Sequence, residues 1–118
     1  MSRRPQHARH RSPEDRVGAL RRRARKLVRR GDYRKAARTM REVVALGGEA
    51  RSWVRLGYLL ARGKRDAQAV DALKQGLFLY RREGAAGRAR TVAQMILRLD
   101  PAEPCARRLL GAEIELAA

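Results

Sequence analysis

The densest positive charge in the chain lies between Arg21 and Arg30, where the sequence reads RRRARKLVRR and seven of the ten side chains are cationic. A guanidinium group pairs with a carboxylate or a phosphate through two parallel hydrogen bonds. Cations one helical turn apart, such as Arg21 and Arg25, repel each other by roughly a few tenths of a kcal/mol, so a helix with several such pairs is expected to meet an outside anion. We therefore predict a polyanion-binding surface formed by Arg21, Arg22, Arg23, Arg25, Lys26, Arg29 and Arg30.

The same cluster also fits a solvated surface without a ligand. Of the 29 basic residues 25 are Arg, and Asn is absent, which is a skew that a GC-rich coding sequence produces. Against this, residues 1–30 hold 12 of the basic residues and only 2 of the 12 acidic ones. The N-terminal quarter is therefore the electrostatically unusual part of the chain, and both interpretations stay open at this point.

Few other residues have the types and spacing that catalysis requires. His7 and His10 lack an acidic or Cys companion for a metal site, and no His follows them to act as a base for Cys105. Gly47-Gly48 is not followed by the Lys-Ser or Lys-Thr of a phosphate-binding loop. A single Cys excludes a disulfide within the monomer and a site built from several Cys ligands. We expect no enzymatic activity, no metal and no cofactor.

Length and composition indicate the fold that holds these residues in place. The chain has 118 residues, enough for one domain. Aromatic residues make up only 4% of it, and Ala, Leu, Arg and Glu dominate over β-branched residues, which favours helices over a β-sandwich or barrel. Apolar residues recur at helical spacing throughout. The pattern predicts an all-α fold of about six helices, at roughly 13–30, 33–46, 49–62, 66–83, 85–99 and 103–116.

Capping residues set the boundaries of these helices. Ser12 is a suitable N-cap, and Pro13 follows at the first helical position. Asp32 and Asp66 are predicted to cap the second and the fourth helix. The fourth helix is apolar over most of its circumference, Phe78 included, and we predict that it is the most buried element. Because the turns are very short, consecutive helices must be antiparallel neighbours.

The domain organisation follows from the same pattern. Residues 1–12 are predicted to form a disordered basic arm, because they have almost no apolar surface to bury, and residues 13–117 form the helical domain. No apolar run is long enough for a signal peptide or a membrane span. We therefore expect a cytoplasmic protein that does not bind membranes.

A set of small and large apolar residues recurs along the chain at a constant interval, which we call the repeat shift. It relates Ala36, Met40 and Val43 to Ala69, Leu73 and Gly76. The segment between the two sets carries Trp53, Leu56, Gly57 and Leu60. This pattern resembles the W, LG, Y, A and F positions of the tetratricopeptide repeat (TPR) family. Two short motifs resemble the turn within a TPR repeat and the usual end of one: Gly31-Asp32-Tyr33 and Leu99-Asp100-Pro101.

The resemblance implies antiparallel helix-turn-helix pairs stacked as a short TPR-like right-handed solenoid with a concave groove. The Leu-Asp-Pro ending fits a second phase as well, in which residues 70–82 are the first helix of a repeat. A plain antiparallel helical bundle is the alternative. In the family the first helix of each pair lines the groove. Carried over by position, this places six residues there: Arg21, Arg25, Val28, Arg51, Arg55 and Tyr58.

The function that the resemblance implies is that of a non-enzymatic adaptor or scaffold, which binds a peptide or helix of another protein in the groove. The Arg side chains favour an acidic or phosphorylated segment. The alternative is sequence-non-specific nucleic-acid binding through the Arg-rich arm and first helix. A third interpretation is an obligate subunit of a larger assembly, which contacts another chain through Leu109, Ile114 and Leu116.

Four aromatic side chains form a second candidate ligand surface. Trp53, Tyr58, Phe78 and Tyr80 are of the types that stack on nucleic-acid bases. Trp53 and Tyr80 fall on the apolar stripes of their helices, so we predict core packing for both. Tyr58 lies off the stripe of its helix and is the aromatic residue that we expect to face a ligand.

Overall fold

A computed structural model describes residues 12–117 and, within them, the side chains up to Gly111. This part of the chain contains six α-helices and no strand, which confirms the predicted all-α class. Every predicted helix is present, and each boundary lies within one residue of its predicted place. Most of the predicted arm, including His7 and His10, lies outside the described residues. The helices are α1 (Pro13–Arg29), α2 (Tyr33–Leu46), α3 (Ala50–Arg62), α4 (Asp66–Arg82), α5 (Ala86–Leu99) and α6 (Pro104–Ala117).

Two of the three predicted helix caps are present. Ser12 and Asp15 form a reciprocal capping box at the start of α1. Asp32 accepts a hydrogen bond from the backbone N–H of Lys35, as predicted. The predicted cap by Asp66 is wrong: Arg65 occupies the N-cap position without a side-chain bond, and Asp66 is the first residue of α4. There its carboxylate is placed near the positive end of the helix dipole.

The connections between helices are of two kinds. After α1, α3 and α4 the chain passes through a left-handed residue, at Gly31 (φ +76°), Lys64 (φ +65°) and Gly84 (φ +74°). After α2 and α5 it leaves the helix in an extended conformation, at Gly47 (φ −179°) and Asp100 (φ −145°). The order of the two kinds along the chain is therefore not a simple alternation, because α4 has a left-handed turn on both sides.

This order of turns divides the chain into two equivalent halves. The interval from Gly31 to Gly84 equals the interval from Gly47 to Asp100, and we call it the half-to-half shift. The first two helices have 17 and 14 residues in the N-terminal half (α1–α3), and 17 and 14 in the C-terminal half (α4–α6). Each half is thus a helix, a left-handed turn, a second helix, an extended connection and a third helix.

The buried side chains form two clusters, and α4 contributes to both. Its first half adds Ala69 and Ala72 to the core of the N-terminal half, around Met40 and Leu56. Its second half adds Leu73 and Leu77 to the core of the other half. The two halves are therefore joined through α4.

The junction of α3 with α4 is closer than ordinary side chains permit. A Cβ on Gly57 would lie 2.6 Å from Cγ of Leu73, and a Cβ on Gly76 would lie 2.6 Å from Cγ2 of Val54 and 3.2 Å from the carbonyl oxygen of Ala50. Glycine at both positions allows the two backbones to approach each other.

The prediction that α4 is the most buried helix, with apolar residues covered all round, is wrong for its last two turns. Phe78 is 57% exposed, and Leu79 and Tyr80 are half-buried. The physical reason is that α4 packs chiefly against α3 and α5. Its third face, which carries Phe78, is left open to solvent.

Candidate functional site

The structure brings five of the six predicted groove residues around one cavity. It lies between α1 and α3 and has a volume of about 480 Å³. Buried Ala24, Met40 and Leu59 form its floor. The other lining residues are Arg21, Arg25, Val28, Arg29, Arg51 and Arg55. We call this cavity the N-terminal groove.

Arg21 holds the two walls of the N-terminal groove together. Its Nη2 donates to Oγ of the fully buried Ser52 at 2.8 Å and lies 3.4 Å from Oε1 of Glu49. The same carboxylate oxygen is 3.4 Å from Nε of Arg51. The Arg21 side chain is only 24% exposed. This guanidinium is therefore committed to the contact between α1 and α3.

Three further arginines of the groove face solvent without a carboxylate partner among the described residues. Arg25, Arg29 and Arg55 are exposed, and none of them pairs with a carboxylate among residues 12–111. The groove therefore offers three uncompensated guanidinium groups above an apolar floor. Such a surface is suited to bind carboxylate or phosphate groups that flank an apolar side chain.

Tyr58, the sixth predicted groove residue, does not line the cavity. Its ring centroid is 5.9 Å from Cζ of Arg55, but its hydroxyl accepts a hydrogen bond from Nη1 of Arg62. The other terminal nitrogen of Arg62 donates to the hydroxyl of Tyr33. Tyr58 thus belongs to a cluster of two tyrosines and one arginine at the end of α3.

The predicted polyanion surface is divided between two faces of α1. Arg21, Arg25 and Arg29 line the N-terminal groove. The remaining four cations surround a shallow depression of about 600 Å³ whose floor includes Leu20 and Leu27. We call this the outer face of α1, and its cations are Arg22, Arg23, Lys26 and Arg30. None of these four pairs with a carboxylate in the part of the chain that the structure describes.

The four aromatic residues considered for base stacking have different surroundings. Trp53 is half-buried against the core of the N-terminal half, as predicted. Tyr80 packs partly on the other core, and Cζ of Arg88 lies 6.0 Å from its ring. Phe78 has Arg82 as its cationic neighbour, with 5.7 Å between ring and Cζ.

A second groove, between α4 and α6, was not predicted from the sequence. Its volume is about 660 Å³. We call it the C-terminal groove, and it is lined by Lys74, Gln75, Leu77, Phe78, Arg81, Arg82 and Cys105. The signal that could have located it is the half-to-half shift, which relates Arg21 to Lys74 and Arg25 to Phe78.

Lys74 links the two walls of the C-terminal groove, as Arg21 does in the other half. Its Nζ lies 3.4 Å from Oε2 of Glu103, a carboxylate that is 4% exposed. Oε1 of Glu103 accepts the backbone N–H of Ala106 at 2.8 Å and so caps α6. Leu109, considered above for contact with another chain, is half-buried against this core, and the side chains of Ile114 and Leu116 lie outside the described part.

Three observations bear on the functional class. Among residues 12–117 no helix is both long and apolar enough to cross a membrane. Among the side chains of residues 12–111 no three of His, Cys, Asp or Glu lie close enough together to hold a metal ion. No protein-family model matches the chain, and no curated protein matches it.

Proposed function

We propose that the chain is a non-enzymatic adaptor built on a short TPR-like right-handed solenoid, and that it works in the cytoplasm. The repeated turn supports this architecture. Gly31 and Lys64 are related by the repeat shift found in the sequence, and both are left-handed. The backbone N–H groups that follow them, of Asp32 and Arg65, bond to the carbonyl oxygens of Leu27 and Leu60, which the same shift relates.

The ligand that we propose is an acidic or phosphorylated segment of another protein, bound in the N-terminal groove. The observation that carries this proposal is the set of three exposed guanidinium groups, on Arg25, Arg29 and Arg55, around an apolar floor. An extended or helical segment would place its apolar side chains on that floor and its anionic groups on the rim. The lining side chains are cationic or apolar and offer no nucleophile, so binding is the proposed role.

The proposal is tested with two variants of equal charge. Arg25→Glu combined with Arg55→Glu reverses the charge of two side chains that line the groove. Arg38→Glu combined with Arg98→Glu reverses the charge of two exposed side chains that do not line it. The probes are fluorescein-labelled peptides rich in Glu or phosphoserine. We expect the groove variant to bind about tenfold or more weakly, because charge-assisted hydrogen bonds are lost, and the control to bind within about threefold of the parent.

Stability and partner identity complete that experiment. Both doubly substituted proteins are expected to keep their melting temperature within a few degrees, because surface changes seldom exceed about 0.5 kcal/mol. Capture from a lysate with the parent and both variants, followed by mass spectrometry, then identifies the partner as the protein lost with the groove variant alone. Equal weakening by both variants would mean that net charge, and not the groove, determines binding.

The second candidate function is non-specific nucleic-acid binding, favoured by the outer face of α1. Arg22, Arg23, Lys26 and Arg30 are four cations without a carboxylate partner among the described residues. If about five cations of α1 contact phosphates, the log–log dependence of duplex DNA affinity on salt has a slope near −4 to −5. Changing these four residues to Gln is expected to reduce that slope by about three to four, whereas Gln at Arg25 and Arg29 reduces it by at most about two.

These two sets of substitutions separate the two functions. Loss of the salt slope with the outer-face variant, together with unchanged peptide affinity, assigns DNA binding to the outer face. Absence of DNA binding at low salt excludes the nucleic-acid function and leaves the adaptor function as the remaining candidate. A slope that persists in the outer-face variant excludes this face as the nucleic-acid site.

A further inference from the structure

The C-terminal groove contains the largest apolar side chain that the described part of the chain exposes. Phe78 is 57% exposed, and Leu77 and Cys105 are apolar neighbours in the same groove. A phenyl ring is less favourable in water than in an apolar environment. Among the described residues the guanidinium of Arg82 lies 5.7 Å from this ring, and the rest of the ring is open to a ligand.

The rim of this groove is cationic. Arg81 and Arg82 lie on α4, and Arg108, which donates to Sγ of Cys105 at 3.5 Å, lies on α6. The carboxylate of Glu103 is buried and already bound to Lys74 and to a backbone N–H. The groove therefore exposes an aromatic side chain beside the exposed cations Arg81 and Arg82, with Arg108 next to Cys105.

We propose that the C-terminal groove is a second, separate binding site, which takes an acidic segment of a partner protein carrying one large apolar side chain. The apolar side chain packs on Phe78, above the buried Leu77, and carboxylates on either side of it pair with Arg81, Arg82 and Arg108. A second copy of this chain fits less well, because every copy carries a net charge of +17 and like charges would meet at the rim.

Alkylation of Cys105 measures occupancy of the C-terminal groove separately from binding elsewhere on the protein. It is the single Cys of the chain and it lines the C-terminal groove. The rate of its alkylation by iodoacetamide reports occupancy of this groove and is independent of the N-terminal groove. The probe is a short synthetic peptide of Glu residues with a central Leu, and its controls carry Ser in place of Leu or Gln in place of Glu.

We expect the Glu-Leu peptide to slow the alkylation of Cys105, and both control peptides to protect it less. Phe78→Gln keeps a good helix former at an exposed position. This variant is expected to bind the Glu-Leu peptide about tenfold more weakly, since roughly 1.4 kcal/mol of apolar contact is lost. Arg81→Glu combined with Arg82→Glu is expected to weaken it at least as much. The matched control, Arg38→Glu combined with Arg98→Glu, leaves protection within about threefold.

Several results would overturn the proposal. One is equal protection by the Glu-Leu and Glu-Ser peptides, since the aromatic ring then plays no part. Others are stronger protection by a single-stranded oligonucleotide, or protection that rises with protein concentration when no peptide is present. The Arg25→Glu, Arg55→Glu variant must leave protection within the same factor of about three as the matched control. If it does not, the two grooves are not separate sites.

Discussion

The two halves of the molecule share a framework and differ in the chemistry that the framework presents. Both have a 17-residue and a 14-residue helix joined by a left-handed glycine. In both, a cation from the first helix reaches the start of the third: Arg21 bonds to Ser52 in the first turn of α3, and Lys74 pairs with Glu103, which precedes and caps α6. The next groove position, one turn further along, is Arg25 in the N-terminal half and Phe78 in the C-terminal half.

This difference shows which positions the fold constrains. Gly31 and Gly84 are equivalent because a left-handed turn disfavours most other residues, and Ala36 and Ala89 are equivalent because both are buried at the helix contact. The groove positions are exposed, so packing constrains their side chains little. The same backbone can therefore present guanidinium groups in one groove and an aromatic ring beside guanidinium groups in the other.

The largest effect is expected where the two halves meet. Leu73 is 1% exposed and packs at the contact of α4 with α3. Leu73→Asp buries an unpaired carboxylate, which costs several kcal/mol, a large part of the roughly 5–15 kcal/mol that stabilises a domain. We expect cooperative loss of helicity in both halves, measured by circular dichroism during urea unfolding.

Gln75 provides the control for that substitution, because it lies on the same helix and is exposed. Gln75→Asp is expected to change stability by about 1 kcal/mol or less. If the Leu73→Asp protein unfolds at the same urea concentration as the Gln75→Asp protein, Leu73 is not buried at the junction and α4 does not join the two halves.

A smaller effect is expected from glycine at the same junction. In Gly76→Ala the new methyl lies 2.6 Å from Cγ2 of Val54 and 3.2 Å from the carbonyl oxygen of Ala50, so the contact between α3 and α4 must adjust, which we expect to cost roughly 1–3 kcal/mol. In the matched change Gly18→Ala the nearest atom is the flexible end of Arg22, 3.5 Å away. There Ala is expected to stabilise the protein by about 0.5–1 kcal/mol through helix propensity. Urea unfolding of both variants should therefore show shifts of opposite sign.

Much of the fold could be predicted because its determinants are local. Ser12, Gly31 and Gly84 mark helix ends by their own conformational preferences, and the apolar stripes set which face is inside. The failure at Phe78 has a different origin. An apolar residue on a helix predicts burial only if a neighbour covers that face, and the sequence does not reveal that α4 lacks one there.

The candidate site was predictable in part for the same reason. Positions such as Arg25 and Arg55 follow from helical spacing and from the order of the helices. Tyr58 was misplaced: its hydroxyl bonds to Arg62, which also bonds to Tyr33 on α2, and the residue does not line the groove. The C-terminal groove depends on the half-to-half shift, which conserves turn geometry and helix length more than residue identity, so the sequence alone gives a weak signal for it.

An exchange of the two equivalent groove residues tests whether they determine the difference between the halves. In the double variant Arg25→Phe, Phe78→Arg, the Glu-Leu peptide is expected to protect Cys105 about tenfold less well. Its affinity for the protein as a whole should fall less, because the N-terminal groove then offers the aromatic ring. Fluorescence polarisation measures the total affinity and alkylation measures the C-terminal groove. Unchanged protection in this variant would show that position 78 does not determine specificity.

The smallest expected effect concerns the two carboxylates beside the linking cations. Glu103 is buried, caps α6 and binds Lys74, so Glu103→Ala removes a helix cap and is expected to destabilise the protein by about 1 kcal/mol. Glu49 is 63% exposed and makes no capping bond, and an exposed ion pair contributes at most a few tenths to about 1 kcal/mol. Since Arg21 keeps its bond to Ser52 when Glu49 is replaced, Glu49→Ala should cost less than Glu103→Ala in urea unfolding. Equal losses would mean that the two links stabilise their halves in the same way, and that the halves differ only in the side chains that face the grooves.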